Sequence, residues 1–217
     1  MYMQCLNSKP VALQDYNQAM SDTSPSPAEF NEILAAEYNY IATTATQAHE
    51  DRARISSFYL IAVGSLVAAL FGTQFLDSES SNRTINIMFS GLFILLTLLG
   101  TSTIMQLARL RAAWYESMMA MNHLKEFVIK QNAALANAFL WRRTTLPARY
   151  KPSSVAFYQA MEVALISGLM FGAGVFFAQQ ALFPSQAGFN LLQWIVALIA
   201  GAGMVFTQLQ VYKRLLQ

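Results

Sequence analysis

From Ile55 to Leu76 the chain carries no charged side chain, yet His49, Glu50, Asp51, Arg52 and Arg54 crowd immediately before that run. A helix rises about 1.5 Å per residue, so more than twenty uncharged, mostly apolar residues can cross hydrocarbon about 30 Å thick. The first span is therefore placed at 55–75. Three further runs of the same kind follow at 85–107, 161–183 and 191–212. Composition agrees: 55% of residues are hydrophobic, only 12% are charged, and mean hydropathy is +0.34. The expected fold class is an all-α polytopic membrane protein, with four transmembrane helices in two hairpins and a cytoplasmic helical bundle.

Lys and Arg near the spans set the orientation. The two turns on one side carry only Arg83. Arg52, Arg54, Arg109, Arg111, Lys125, Lys130, Arg142, Arg143, Arg149, Lys151, Lys213 and Arg214 gather on the other. Both termini and the central segment are expected in the cytoplasm. The organisation reads as a polar leader over 1–26, a cytoplasmic helix over 27–56, a transmembrane hairpin over 57–107, a basic helical segment over 108–158, a second hairpin over 159–212 and a tail over 213–217.

Local signals sharpen this. The stretch SDTSPSPAEF disfavours regular structure before Ser26. Ser26, Pro27 and Glu29 then form a helix start with a capping box. The opening charge cluster reads as a membrane stop: Arg52 and Arg54 hold the helix at the surface, and Glu50 is expected to pair with Arg54 one turn on. Asp51 is the alternative, as a contact to a basic group on another helix. Pro184, Ser185, Gln186 and Gly188 mark the turn between the last two spans. Cys5 is the only cysteine, which excludes an internal disulfide and multi-thiolate zinc sites.

From Thr101 to Leu146 there is neither Pro nor Gly. Leu107, Leu110, Trp114, Met118, Met121, Leu124 and Val128 recur at steps of three and four, an amphipathic helix continuing the second span beyond the membrane. Phe30, Ile33, Leu34, Tyr38 and Ile41 offer an apolar face for it to pack on. Residues 1–56 hold three basic and seven acidic groups, whereas 108–158 hold eight basic and two acidic. Lys125 lies roughly 25 Å past the second span on a straight helix, too far for lipid headgroups to explain it. Lys125, Lys130, Arg142 and Arg143 are therefore the candidate ligand-binding residues, for an anionic ligand. In FLWRRTTLPARYK, aromatic residues interleave with basic ones, a pattern that can hold phosphates and stack bases; a juxtamembrane return loop is the alternative, and the better reading for Arg149 and Lys151.

Within the spans, Ser90, Thr97 and Thr101 share a helix face and are candidate pore-lining residues. They could equally bond their own backbone or a neighbouring helix. Gly64 with Ala68, Gly168 with Gly172 and Ala197 with Gly201 mark close helix packing. Glu162 is expected to bridge to Arg52, Arg54 or Arg109. No phosphate-binding glycine loop, paired catalytic acids or nucleophile beside His49 or His123 is seen, so the expectation is a non-enzyme, without cofactor or metal.

With the helix EFNEILAAEYNYIATTATQAHEDRARISSFYLIAVGSLVAALFG and the continuation RLRAAWYESMMAMNHLKEFV, the chain resembles small bacterial anti-phage membrane effectors. These are the SLATT-type pore proteins and the channel effector of Hailong systems. The resemblance covers roughly residues 27–130 and lies in organisation, not in a short motif. It implies a homo-oligomeric ion channel of the bacterial inner membrane, here taken as a tetramer. A nucleotide or short single-stranded DNA, made by a nucleotidyltransferase encoded alongside, would hold it shut, and loss of that ligand would open an anion path. It further implies a gate or N-terminal seal of aromatic residues, for which Phe30, Tyr38 and Tyr40 are the candidates, with Tyr2 and Tyr16 in addition. Two rivals stand beside this reading: a non-conducting membrane scaffold that recruits a cytoplasmic partner, and a small-solute transporter.

Overall fold

The computed structural model describes residues 26–73, 82–183 and 191–217. The leader with Tyr2, Cys5 and Tyr16, and the turn with Pro184, Ser185, Gln186 and Gly188, lie outside the described residues. Four long helices make up the architecture: α1 (Pro27–Thr73), α2 (Asn82–Gln131), α3 (Val155–Leu182) and α4 (Leu191–Leu216). All four are long and apolar enough to cross a membrane, as expected of a membrane protein. No strand occurs among the described residues. In hydrocarbon this follows from the backbone, because a helix satisfies its own N–H and C=O groups where water cannot.

Helix α1 begins at the capping box read from the sequence. The Glu29 backbone N–H donates to Ser26 Oγ at 3.3 Å, and the Ser26 N–H donates to Glu29 Oε2 at 3.4 Å. The chain divides into two units at Tyr40 and Ile41. In the first, α1 leaves Ile33, Tyr38 and Tyr40 exposed. In the second, one face of α1 is buried at Ile41, Ala45, Ala48, Arg52, Ser56, Tyr59 and Val63. Those steps of three and four keep one stripe turned toward the neighbouring helices.

Helix α2 is 50 residues long and runs about 36 Å past Leu107. Its stripe over that length is buried or half-buried at Leu107, Leu110, Trp114, Met118, Met121, Leu124 and Val128, as the periodicity predicts. It stops at Gln131 because Asn132 competes for the backbone: its side-chain oxygen accepts the Ala134 N–H at 3.1 Å, the turn chemistry that Asn favours. Two short 3-10 turns follow, at Ala133–Asn137 and Arg143–Thr145, and both pack against α2. Ser154 then caps α3 by accepting the Phe157 N–H, six residues ahead of the apolar run that marks the span.

The core is formed by Tyr59, Val63, Phe93, Leu96, Ile104, Leu107, Ala108, Ala160, Val163, Ala164, Met170, Tyr212 and Leu216. Helices α3 and α4 meet backbone to backbone. A methyl group on Gly168 would lie 2.8 Å from the Gly201 carbonyl oxygen, and one on Gly172 would lie 2.9 Å from that of Ala197. Two of the small-residue pairs thus serve one interface within the chain. The third does not: nothing lies within 4 Å of a methyl placed on Gly64. Where α3 ends, Gln180 Nε2 donates to Gln193 Oε1 at 3.0 Å and Gln193 Nε2 donates to the Phe183 carbonyl at 3.3 Å, tying α3 to the start of α4.

Two ion-pair expectations are corrected. Arg54 pairs with Asp51 at 3.8 Å, not with Glu50, because the shorter carboxylate three residues back lies on the same exposed flank. Glu162 is exposed, and among the described residues it forms no ion pair with Arg52, Arg54 or Arg109. It points away from the stripe on which Arg52 is buried.

Candidate functional site

Three polar regions interrupt the apolar bundle. The first lies among the spans and draws on every long helix. Tyr59 comes from α1, Thr97 and Thr101 from α2, Ser167 from α3 and Gln208 from α4. Gln208 Nε2 donates to Ser167 Oγ at 2.7 Å and to Thr101 Oγ1 at 2.9 Å. Ser167 Oγ donates to the Thr97 carbonyl at 3.3 Å. Thr97 and Thr101 return their own protons one turn back, to the carbonyls of Phe93 and Thr97, both at 2.9 Å. Buried hydroxyls and amides are tolerated in apolar surroundings only when bonded in this way. One atom is left over, Gln208 Oε1, which is buried without a hydrogen bond, while the Tyr59 hydroxyl faces Ser167.

Of the candidate pore-lining residues, Thr97 and Thr101 fall on this layer, whereas Ser90 lies two turns away along α2, with its carbonyl against Gly174. Ser90 and Thr97 are buried and Thr101 half-buried. Thr97 and Thr101 bond to their own backbone, and Thr101 also accepts from α4. They turn toward the interior of the chain's own bundle. The glutamine was missed in the sequence because its partners are about forty and a hundred residues away.

The second region is the extension of α2 and the turns after it. Lys125 is half-buried, Lys130 exposed, Arg142 half-buried and Arg143 exposed. None of the four takes part in an ion pair among the described residues. Five helical positions separate Lys125 from Lys130, which places them about 140° apart around α2, on different flanks. The structure therefore does not gather all four onto one helix face. Arg142 and Arg143 open the second 3-10 turn, where the Arg142 N–H donates to Thr145 Oγ1 at 2.9 Å. Leu140 and Trp141 stand beside them, 82% and 69% exposed. The candidate seal residues lie in the first unit: Phe30 is half-buried, Tyr38 and Tyr40 are exposed, and those two tyrosines point some 160° apart on α1.

The third region carries the strongest electrostatic signal. Arg52 and Arg111 lie just outside the first and second apolar runs, and only 4% and 7% of each is exposed. Each falls on the buried stripe of its helix, four residues after Ala48 in α1 and after Leu107 in α2. The Tyr212 ring is buried in the same layer. Burial lowers both guanidinium pKa values from their ordinary level; the charge of Arg111 lowers Arg52 further, and Tyr212 opposes the shift in both. Arginine nonetheless stays charged in proteins.

These two charges have thin company. One Arg52 amino group lies 2.8 Å from His49 Nδ1, and Arg52 Nε is buried with no partner. Arg111 Nε donates to the Arg149 carbonyl at 3.4 Å, and its guanidinium lies 4.3 Å from the Trp114 ring centre. Lys213 Nζ lies 5.9 Å from the Tyr150 ring centre. Glu116 is exposed and paired with Arg149 at 3.3 Å, and Asp51, beside Arg52 in the chain, pairs with Arg54. A buried cation without a counter-charge costs several kcal/mol. Arg52 is thus not the surface anchor expected beside the first span; the heptad-like stripe through Ala48, Arg52 and Tyr59 is the signal in the sequence that turns it inward.

No group of three or more His, Cys, Asp or Glu residues able to hold a metal ion occurs among the described residues. No protein-family model matches the chain, and no curated protein or solved structure matches it.

Proposed function

We propose that the protein is an oligomeric membrane channel, gated by an anionic nucleotide or single-stranded oligonucleotide that binds the basic segment after the second span. Both termini and that segment lie in the cytoplasm of a bacterial cell in this reading, with the resemblance to anti-phage effectors supplying the biological setting. The observation that carries it is the reach of α2. An unbroken helix takes Lys125 and Lys130 far beyond the apolar run, and no acid pairs with them, Arg142 or Arg143 among the described residues. Headgroups do not reach that far, so another polyanion is the natural counter-charge. The exposed Trp141 beside Arg142 and Arg143 supports a nucleic-acid ligand, because a base can stack on it while phosphates meet the guanidinium groups.

Binding between subunits would hold together basic surfaces that otherwise repel. It shifts the open and closed populations only by its difference in affinity for the two states. The test is fluorescence anisotropy of a labelled single-stranded oligonucleotide over a salt series, paired with conductance in liposomes. Affinity should fall with salt at a slope set by the number of phosphates neutralised. Changing Lys125, Lys130, Arg142 and Arg143 together to Ala should lower affinity at least tenfold. Unchanged binding in that variant removes the assigned site. The exposed Leu140 and Trp141 pair also suits a protein partner. A scaffold of that kind passes no ions in any ligand state, so the conductance arm separates the two.

A further inference from the structure

The geometry points to a second, built-in anion site, in which the buried guanidinium groups of Arg52 and Arg111, with the Tyr212 hydroxyl, hold one phosphoryl group. It is separate from the ligand surface proposed above and stands whether or not the protein conducts.

Three observations carry it. Two arginines more than nine-tenths buried meet in one layer between α1, α2 and α4, and no carboxylate pairs with either among the described residues. Arg52 Nε is fully enclosed and has nothing to donate to. The acids next to these arginines are turned elsewhere: Asp51, beside Arg52 in the chain, pairs with Arg54, Glu50 is exposed, and Glu116 is exposed and pairs with Arg149. Charge and shape then select the ligand. Two planar forks donate bidentate pairs of N–H bonds to tetrahedral oxyanions. A tetrahedral phosphoryl group offers several oxygens to two guanidinium forks, whereas a carboxylate offers only two. A tyrosine hydroxyl adds a further donor. The layer lies a few residues outside the apolar runs, at the depth of lipid phosphates, so the group can come from a headgroup or from free phosphate. A bound phosphate would cross-link three helices at the point where they leave the membrane.

The test uses the full-length protein, purified in maltoside micelles without phosphate and stripped of lipid. Thermal unfolding is followed while inorganic phosphate, or phosphatidylglycerol, is added. Native mass spectrometry identifies the bound mass. The expected result is a saturable rise in Tm, on the order of 5–10 °C at a hundredfold excess over Kd. A rise with inorganic phosphate alone assigns free phosphate; a rise only with phosphatidylglycerol assigns the headgroup. The response should vanish in Arg52→Met/Arg111→Met. It should persist in Arg54→Met and in the variant with Lys125, Lys130, Arg142 and Arg143 changed to Ala. Without phosphate, the double Met variant should be at least as stable as the wild type, since it removes charges that lack a counter-ion. Absence of any phosphate or lipid response overturns the site. So does a response that survives the double Met change, or a double Met variant less stable than the phosphate-free wild type, which would show the charges already satisfied within the chain.

Discussion

Gly100 leaves the space that Tyr59 and Ser167 occupy. A methyl group there would lie 2.6 Å from Ser167 Oγ and 2.7 Å from the Tyr59 hydroxyl, closer than real contacts allow. Gly100→Ala should destabilise the protein by about 1–3 kcal/mol, through overpacking that pushes the polar layer apart. Gly91→Ala, where nothing lies within 4 Å, should be neutral or slightly stabilising. Thermal unfolding of both variants in the same detergent checks the pair. The Tyr59 hydroxyl faces Ser167, so Tyr59→Phe should lower stability by no more than about 1 kcal/mol. Gln208→Leu breaks two bonds across helices and should cost about 1 kcal/mol, in the range found for hydrogen bonds between membrane helices.

At the scale of elements, the interface of α3 and α4 depends on the absence of side chains. Gly168→Ala and Gly201→Ala each place a methyl 2.8 Å from a carbonyl oxygen of the facing helix, so the helices must separate. Each should cost about 1–3 kcal/mol, while Gly64→Ala and Gly203→Ala, which meet nothing, should not. Denaturation midpoints for the four variants test that contrast. The elements themselves were the legible part of the sequence. Runs without charge located all four helices, the Ser26 box located the start of α1, and the absence of Pro and Gly predicted that α2 would continue past the membrane. The end of α3 nearer Ser154 was missed because Val155–Ala160 is only mildly apolar, and the cap is a single hydroxyl. Which polar residues meet was not legible. Gln208 bonds to Thr101 and Ser167, and Arg52 comes under the charge of Arg111, across helices distant in sequence, and local periodicity does not specify partners across such gaps. The inward turn of Arg52 was hidden for a simpler reason: arginine next to a span ordinarily anchors at the surface.

For the molecule as a whole, charge asymmetry predicts which end faces which compartment. In a Cys5→Ser background, Arg83→Cys should react with an impermeant maleimide applied to intact spheroplasts, and Lys130→Cys should react only after permeabilisation. The reverse pattern would invert the protein and remove the cytoplasmic ligand from consideration. Charge pairs at the surface matter little at this scale. Arg54 and Asp51 form an exposed pair at 3.8 Å, so Asp51→Asn should shift unfolding by less than about 1 kcal/mol, measured at low and high salt.

The length of α2 has a mechanical consequence. Beyond Gly100 the helix meets no glycine or proline before it ends at Gln131, so it has no built-in hinge and behaves as a stiff lever arm. Its fulcrum falls where Tyr59 and Ser167 crowd Gly100. Swinging an arm of about 46 Å through only 5° moves its tip by about 4 Å. A ligand that nudges the far end by a single bond length or two therefore tilts the rod at the membrane, and the tightest point of packing decides where that tilt is felt.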